Sequence, residues 1–134
     1  RYDGKANTVQ ALKAMVERGE AVPICPEVLG GLGIPRDPCE RQGCQICTQS
    51  GRDCTTEYRK GAEAALTLIQ KHHITLAVLK AKSPSCGKGL IYDGSFTRTL
   101  TEGHGLTAEL FIRNGVRVFT EDEWQEEKEN SQKA

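Results

Sequence analysis

Six residues constrain this chain more than any others: Ile74-Thr75-Leu76-Ala77-Val78-Leu79, short, almost continuously apolar and rich in β-branched side chains. That is how a strand buried on both faces of a parallel sheet reads. Directly behind it comes Lys80-Ala81-Lys82-Ser83-Pro84-Ser85-Cys86-Gly87-Lys88-Gly89. In open α/β sheets, ligands bind outside the carboxyl ends of the strands. The loop therefore sets a thiol (Cys86), two hydroxyls (Ser83 and Ser85) and the cations Lys80 and Lys82 where such folds do their chemistry. The competing reading is a surface turn around a buried, inert cysteine, because Pro and Gly turns are common and cysteine is often buried.

Helical and extended patterns surround that loop. Asn7 is placed to cap a helix from Thr8 to Arg18, with Val9, Leu12, Met15 and Val16 on one face and Gly19 past its end. Ala21-Val22-Pro23-Ile24-Cys25 reads as an irregular or edge strand that halts at Pro26. Glu27 and Gly30-Gly31-Leu32-Gly33 follow, and the glycines suit close backbone approach. Cys25 with Glu27 thus ends one strand as Cys86 ends another. A second helix is expected from Thr56 to Lys71, capped by Asp53 or Thr55, with His72 and His73 complementing its C-terminal dipole. Leu106 to Arg113 is a third, closed by Asn114-Gly115, and Val116-Arg117-Val118-Phe119 is a last strand.

The other four cysteines stand close together: Cys39, Cys44, Cys47 and Cys54. Ser50-Gly51 is a hairpin signal. As a two-residue turn it would set Thr48 opposite Asp53 and Cys47 opposite Cys54, within side-chain reach. The spacing Cys39-x4-Cys44-x2-Cys47 has the look of a plant-type ferredoxin run, and a zinc site from Cys44, Cys47 and Cys54 also fits two intervening residues. Cys39, Cys44, Cys47 and Cys54 are therefore candidates for a second metal site or a disulfide, or simply small residues on a half-buried hairpin.

With Cys25-Pro26-Glu27…Gly30-Gly31 and Ser83-Pro84-Ser85-Cys86-Gly87 both in view, the chain resembles the thiouracil desulfurase (TudS-like) family. The resemblance runs from Arg1-Tyr2-Asp3-Gly4 through Ile91-Tyr92-Asp93-Gly94-Ser95-Phe96 to Gly115. It implies a 4Fe–4S cluster held by three cysteines with one iron open, and cleavage of the carbon–sulfur bond of a thiolated pyrimidine without an external redox partner. By motif, Cys25 and Cys86 would be cluster ligands, Glu27 the acid–base group and Ser83 a catalytic hydroxyl at the substrate. Ser85, Lys80 and Lys82 would bind substrate, a small thiolated nucleobase. The family's third ligand lies in a strand upstream of Arg1-Tyr2-Asp3-Gly4, so the third cysteine and the first strand are expected to be missing from this chain. The alternative function is a non-catalytic zinc- or cluster-binding module built on the Cys39–Cys54 hairpin. A metal-free thiol sulfur carrier is a third.

The architecture expected is three-layer α/β: an open, mainly parallel sheet flanked by helices, with an inserted β-hairpin. One domain over 1–120 would precede a polar, disordered tail over 121–134, helical only in its first turn. Lys and Arg together number 18, as do Asp and Glu, for a formal net charge of zero. No broad basic face is available for a phosphate backbone, so polymeric nucleic acid is not expected as a partner. The chain has no apolar run long enough for a membrane span. With no apolar opening segment, a cytoplasmic location is expected, where six cysteines would be thiols or ligands rather than staples.

Overall fold

The computed structural model describes residues 4–19, 21, 23–24, 26–31 and 38–126. The order is α1 (Gly4–Glu17), α2 (Pro26–Leu29), β1 (Cys39–Gln42), β2 (Gln45–Thr48), α3 (Thr55–Lys71), β3 (Leu76–Leu79), β4 (Leu90–Tyr92), β5 (Leu100–Glu102), α4 (Leu106–Arg113) and β6 (Arg117–Thr120). The class is α/β. Its strands form three two-stranded sheets among the described residues: β1–β2 and β4–β5 antiparallel, β3–β6 parallel.

The parallel pair holds the centre. Leu76 faces Arg117 and the register runs through to Leu79 opposite Thr120. Between the two strands the chain crosses over through β4, β5 and α4, the long connection that a parallel pair needs. Here β3 is less enclosed than its composition suggests. Only Leu79 is buried, and Leu76, Ala77 and Val78 are half-buried, with β6 the one partner strand among the described residues.

One core cluster lies between the helices and this pair: Ala65 and Ile69 from α3, Leu79, Cys86, Ala108 and Phe111 from α4, and Val118. A second joins Ile46, Cys54 and Tyr58 at the foot of the hairpin. Burying a side chain such as Phe111, which is 0% exposed, stabilises by about 1.5–3 kcal/mol. The apolar stripes of α3 and α4 are what bring these residues inward.

Helix α3 begins at Thr55 because Asp53 receives the first helical N–H: its Oδ1 accepts the Thr55 amide at 2.9 Å and the Thr55 hydroxyl at 2.6 Å. Those two bonds, the hydroxyl's the stronger, hold the Asp53 carboxyl below its ordinary value. Helix α1 starts earlier than its pattern suggests, since Lys5 and Ala6, good helix formers, extend it upstream of Asn7. At its end Gly19, with φ +74°, returns its N–H to the Val16 carbonyl.

Two expectations need correction. Residues 21, 23 and 24 are irregular rather than a strand. Pro23 has no N–H to give a ladder, and the chain instead enters α2 with Pro26 at its first position, where a proline costs nothing. Cys25 lies outside the described residues. The hairpin register is also off by one: Cys47 faces Asp53, not Cys54. Thr48 N–H bonds the Arg52 carbonyl and Gly51 N–H bonds Thr48, so the loop is the three residues Gln49, Ser50 and Gly51. Gly51, at φ +96°, supplies the left-handed position that a three-residue hairpin loop requires. A further hairpin tip, at Gly43-Cys44, joins β1 to β2.

Residues 121–126 are helical. Thr120 and Glu123 cap that turn reciprocally. Thr120 N–H donates to Glu123 Oε1 at 2.9 Å and Glu123 N–H to Thr120 Oγ1 at 3.1 Å.

Candidate functional site

The loop after β3 is built around Ser83. Its Oγ accepts the Cys86 N–H at 2.7 Å, and its carbonyl accepts the Gly87 N–H at 2.9 Å. The chain enters through Lys82 at φ +71°, an uncommon conformation for a residue with a Cβ. Pro84, Ser85, Cys86 and Gly87 are buried and Ser83 is half-buried. Gly87 has no room for a side chain, since a Cβ there would lie 2.8 Å from the Ser83 carbonyl oxygen.

The N-terminus of α4 closes over this loop. A helix begins with unsatisfied N–H groups, and here the loop's carbonyls satisfy them. Leu106 N–H bonds Pro84 at 2.9 Å, Thr107 and Ala108 N–H bond Ser85 at 2.8 and 3.2 Å, and Gly105 N–H bonds Gly87 at 2.8 Å. A Cβ on Gly105 would lie 2.4 Å from the Ser85 carbonyl carbon and 2.8 Å from the Cys86 nitrogen. The Ser85 hydroxyl is 2.9 Å from that of Thr107, and Cys86 Sγ is 3.7 Å from Ser85 Oγ. Just before the helix, His104 Nδ1 accepts the Gly89 N–H at 3.0 Å, which puts the neutral ring's proton on Nε2.

The shoulders of the loop are held from two further directions. Lys88 Nζ lies 3.2 Å from each Glu123 carboxylate oxygen, and Glu121 accepts the Ala81 N–H at 3.3 Å. On the hairpin side, Arg41 donates to the His104 carbonyl and to Glu109 at 3.1 Å. Glu40 Oε1 takes the Gly94 and Phe96 N–H groups. The inserted hairpin thus braces the connection that carries His104.

Among the residues singled out from sequence, Ser83, Ser85 and Cys86 meet in one buried turn. Lys80 and Lys82 flank it and are exposed. Cys25 lies outside the described residues, but Ile24 beside it packs on the core cluster that contains Cys86. Glu27 is in α2, whose backbone presses directly on α3: a Cβ on Gly61 would lie 1.8 Å from the Pro26 carbonyl oxygen, and one on Gly30 would lie 1.9 Å from that of Glu57. His72 and His73 are exposed at the C-terminus of α3.

The hairpin cysteines are spread out. Cys44 is exposed at the tip, Cys39 and Cys47 are half-buried and Cys54 is buried, and no disulfide joins them. Among the described residues, no three His, Cys, Asp or Glu side chains are gathered to hold a metal. A recess of about 370 Å³ at the Gln49–Gly51 loop is lined by Pro38, Thr48, Gln49, Ser50 and Phe96, with none of the Cys86 loop in it.

Sequence reasoning did not reach Gly105, Thr107, His104 or Glu123. The Thr120-x-x-Glu123 spacing was a capping-box signal for the last of them. For Thr107 nothing local exists, because its partner is 22 residues away.

Donor chemistry decides what this place can hold. Cys86 offers a soft sulfur surrounded by hydroxyls and backbone, which suits thiophilic iron rather than a hard oxygen-seeking ion. It fits as one ligand of an iron–sulfur cluster.

Comparison with known proteins gives three matches. A family model described as 2-thiouracil desulfurase matches residues 1–123. The uncharacterized protein YbbK of Bacillus subtilis (strain 168) is 37% identical over 133 residues, covering 92% of this chain and 88% of the relative. A solved structure of the 4Fe–4S-dependent thiouracil desulfidase TudS superposes with a TM-score of 0.80 at 49% identity, over 83% of this chain and 74% of that one.

Proposed function

The chain belongs to the 2-thiouracil desulfurase family, and from that premise we propose that it is an iron–sulfur-dependent enzyme. Its substrates would be small thiolated pyrimidines of the thiouracil kind. The net reaction replaces C=S by C=O: water adds its oxygen to the ring carbon, sulfur leaves as sulfide, and no external oxidant or reductant is consumed. The observation that carries this reading is the family match through residue 123, whose Ser-Pro-Ser-Cys-Gly motif forms the buried turn around Cys86.

Cys86 and Cys25 would be the ligands this chain brings. When bound, the cluster supplies a soft Lewis-acidic iron for the thiocarbonyl sulfur, which leaves the ring carbon more electrophilic. Glu27, two residues from Cys25, would take a proton from the attacking water. Ser83 would meet the substrate: because its oxygen accepts the Cys86 N–H, its own proton is left to donate. Lys80 and Lys82, exposed on either side of Ala81, would bind a ring oxygen.

The test is anaerobic reconstitution, with iron and sulfide, of the chain preceded by a strand that supplies the family's third cysteine, followed by metal analysis and an assay for uracil and sulfide from 2-thiouracil. Bound iron with acid-labile sulfide and matched release of the two products is expected. Glu27→Gln should keep the cluster absorption and lose at least about 100-fold in turnover, the scale of general acid–base catalysis. Zinc in place of iron, or a loaded protein that leaves 2-thiouracil intact, would overturn the assignment.

A further inference from the structure

Two buried hydroxyls beside the Cys86 sulfur have no task in the reaction above. Thr107 is 0% exposed and Ser85 is 1% exposed. A buried hydroxyl is unfavourable unless it is hydrogen-bonded, and valine would fill the Thr107 position with the same shape. Thr107 instead grips Ser85 twice. Its N–H donates to the Ser85 carbonyl at 2.8 Å, and its Oγ1 lies 2.9 Å from Ser85 Oγ. Ser85 Oγ in turn lies 3.7 Å from Cys86 Sγ.

In the metal-free chain the Cys86 thiol donates to Ser85 Oγ and either hydroxyl of the Ser85–Thr107 pair can be the donor; iron on the sulfur would fix the order the other way. A sulfur bound to iron can only accept. The Ser85 proton then points at Sγ, and the Thr107 proton must go to Ser85 Oγ. We propose that Thr107 is a positioning residue that acts through the Ser85 hydroxyl, fixing the Cys86 sulfur in one orientation and supplying the hydrogen bond it receives. This deepens the desulfurase reading and rests on it for the loaded site. It also gives Ser85 a place behind the sulfur rather than in front of the substrate. Hydrogen bonds to cluster sulfurs are among the protein's means of setting cluster electronics.

Two measurements test it, and the first needs no cluster. In the metal-free chain, alkylation by a maleimide is followed for each cysteine by peptide mass spectrometry. Exposed Cys44 serves as the reference and Cys54, buried in the other core cluster, as the control for global loosening. Thr107→Val should speed Cys86 modification by roughly 5–10-fold, as expected when one buried hydrogen bond no longer opposes local opening. Cys54 and Cys44 should not change, and Thr107→Ser should behave as the unaltered chain. An unchanged Cys86 rate, or Cys54 rising in step with it, overturns the proposal. Should Thr107→Val fold poorly, Ser85→Ala carries the same comparison.

The second measurement uses the reconstituted protein. Ser85→Ala and Thr107→Val should shift the sulfur-to-iron charge-transfer absorption in the same direction, and the double variant should match Ser85→Ala alone. Additive shifts would mean that Thr107 does not act through Ser85. A chain with the third cysteine supplied that still takes up no cluster would sink the desulfurase reading, and the alkylation result would still decide the grip.

Discussion

Gly105→Ala is the sharpest test of how the sulfur-bearing loop is held. Gly105 sits at φ −68° and ψ 163°, ordinary extended backbone that alanine adopts without strain. With space around it, the substitution would stabilise by about 0.4–1 kcal/mol through the unfolded chain. There is no space. The new Cβ would lie 2.4 Å from the Ser85 carbonyl carbon, 2.5 Å from its oxygen and 2.8 Å from the Cys86 nitrogen. Carbon atoms pack at about 3.5–4.0 Å, so α4 and the loop must part by roughly 1 Å. All three obstructing atoms are backbone, which cannot swing aside. The separation also stretches the Gly105–Gly87, Leu106–Pro84 and Thr107–Ser85 bonds, each now 2.8–2.9 Å. Overpacking costs about 1–3 kcal/mol and each weakened bond up to about 1 kcal/mol, so a net loss of about 3–4 kcal/mol is expected. Urea unfolding followed by far-UV circular dichroism measures it, with Gly115→Ala as the control. Gly115 has φ +81° and open space around it, so that change should cost only about 1–2 kcal/mol of left-handed strain. A Gly105→Ala chain as stable as the unaltered one would refute the close docking of α4 on the loop.

Gly61→Ala tests the other close approach. Alanine inside a helix normally gains about 1 kcal/mol over glycine, yet here the Cβ would meet the Pro26 carbonyl at 1.8 Å, and we expect a net loss of about 2 kcal/mol in the same urea assay. Glu123→Gln tests the clamp on Lys88. Partial burial pushes the Glu123 carboxyl up, but the Thr120 N–H and then the Lys88 ammonium outweigh it and hold the group below the ordinary carboxylate range. A lowered folded value contributes stability above the unfolded value of about 4.3 and loses it as pH falls through the folded one. The variant should therefore be less stable by about 0.5–1 kcal/mol at pH 7, a modest figure for a side chain 43% exposed. In thermal melts the gap should narrow steadily below about pH 4.3, and a gap unchanged at pH 3 would dismiss the carboxylate's role.

What could be read from the sequence followed from pattern length. Helix α3 carries a stripe over 17 residues and α4 matches its expected ends, because apolar spacing and the Asn114-Gly115 stop agree. Strand β5 was invisible, since Leu100, Thr101 and Glu102 are all exposed and show no alternation. Strand β1, Cys39-Glu40-Arg41-Gln42, is also without an apolar face, and its work is done by Glu40 and Arg41 reaching to other segments. The Cys47 register turned on the conformation of Gly51, which a Ser-Gly pair does not specify. At the site, Ser83, Ser85 and Cys86 were legible because they are contiguous. The groups that hold them, Gly105, Thr107 and Glu123, come from distant positions and become neighbours only once α4 has crossed back to pair β6 with β3.

That last step bears on how the sulfur comes to be ordered. Loops are ordinarily the mobile parts of a fold, and small metal-binding domains often order only when metal arrives. Here the carbonyls of Ser83, Pro84, Ser85, Gly87 and Gly89 all accept backbone N–H groups, four of the five from residues 103–108. Ser83 Oγ takes the Cys86 N–H as well. These are protein-to-protein bonds, made in a segment whose four residues 84–87 are buried. Their formation needs α4 in place, and α4 is held by Ala108 and Phe111 in the main core. The Cys86 thiol is thus oriented by the same cooperative event that forms the core, before any ligand reaches it. If Cys86 is a cluster ligand, as proposed, such preorganisation removes the ordering cost from the binding step.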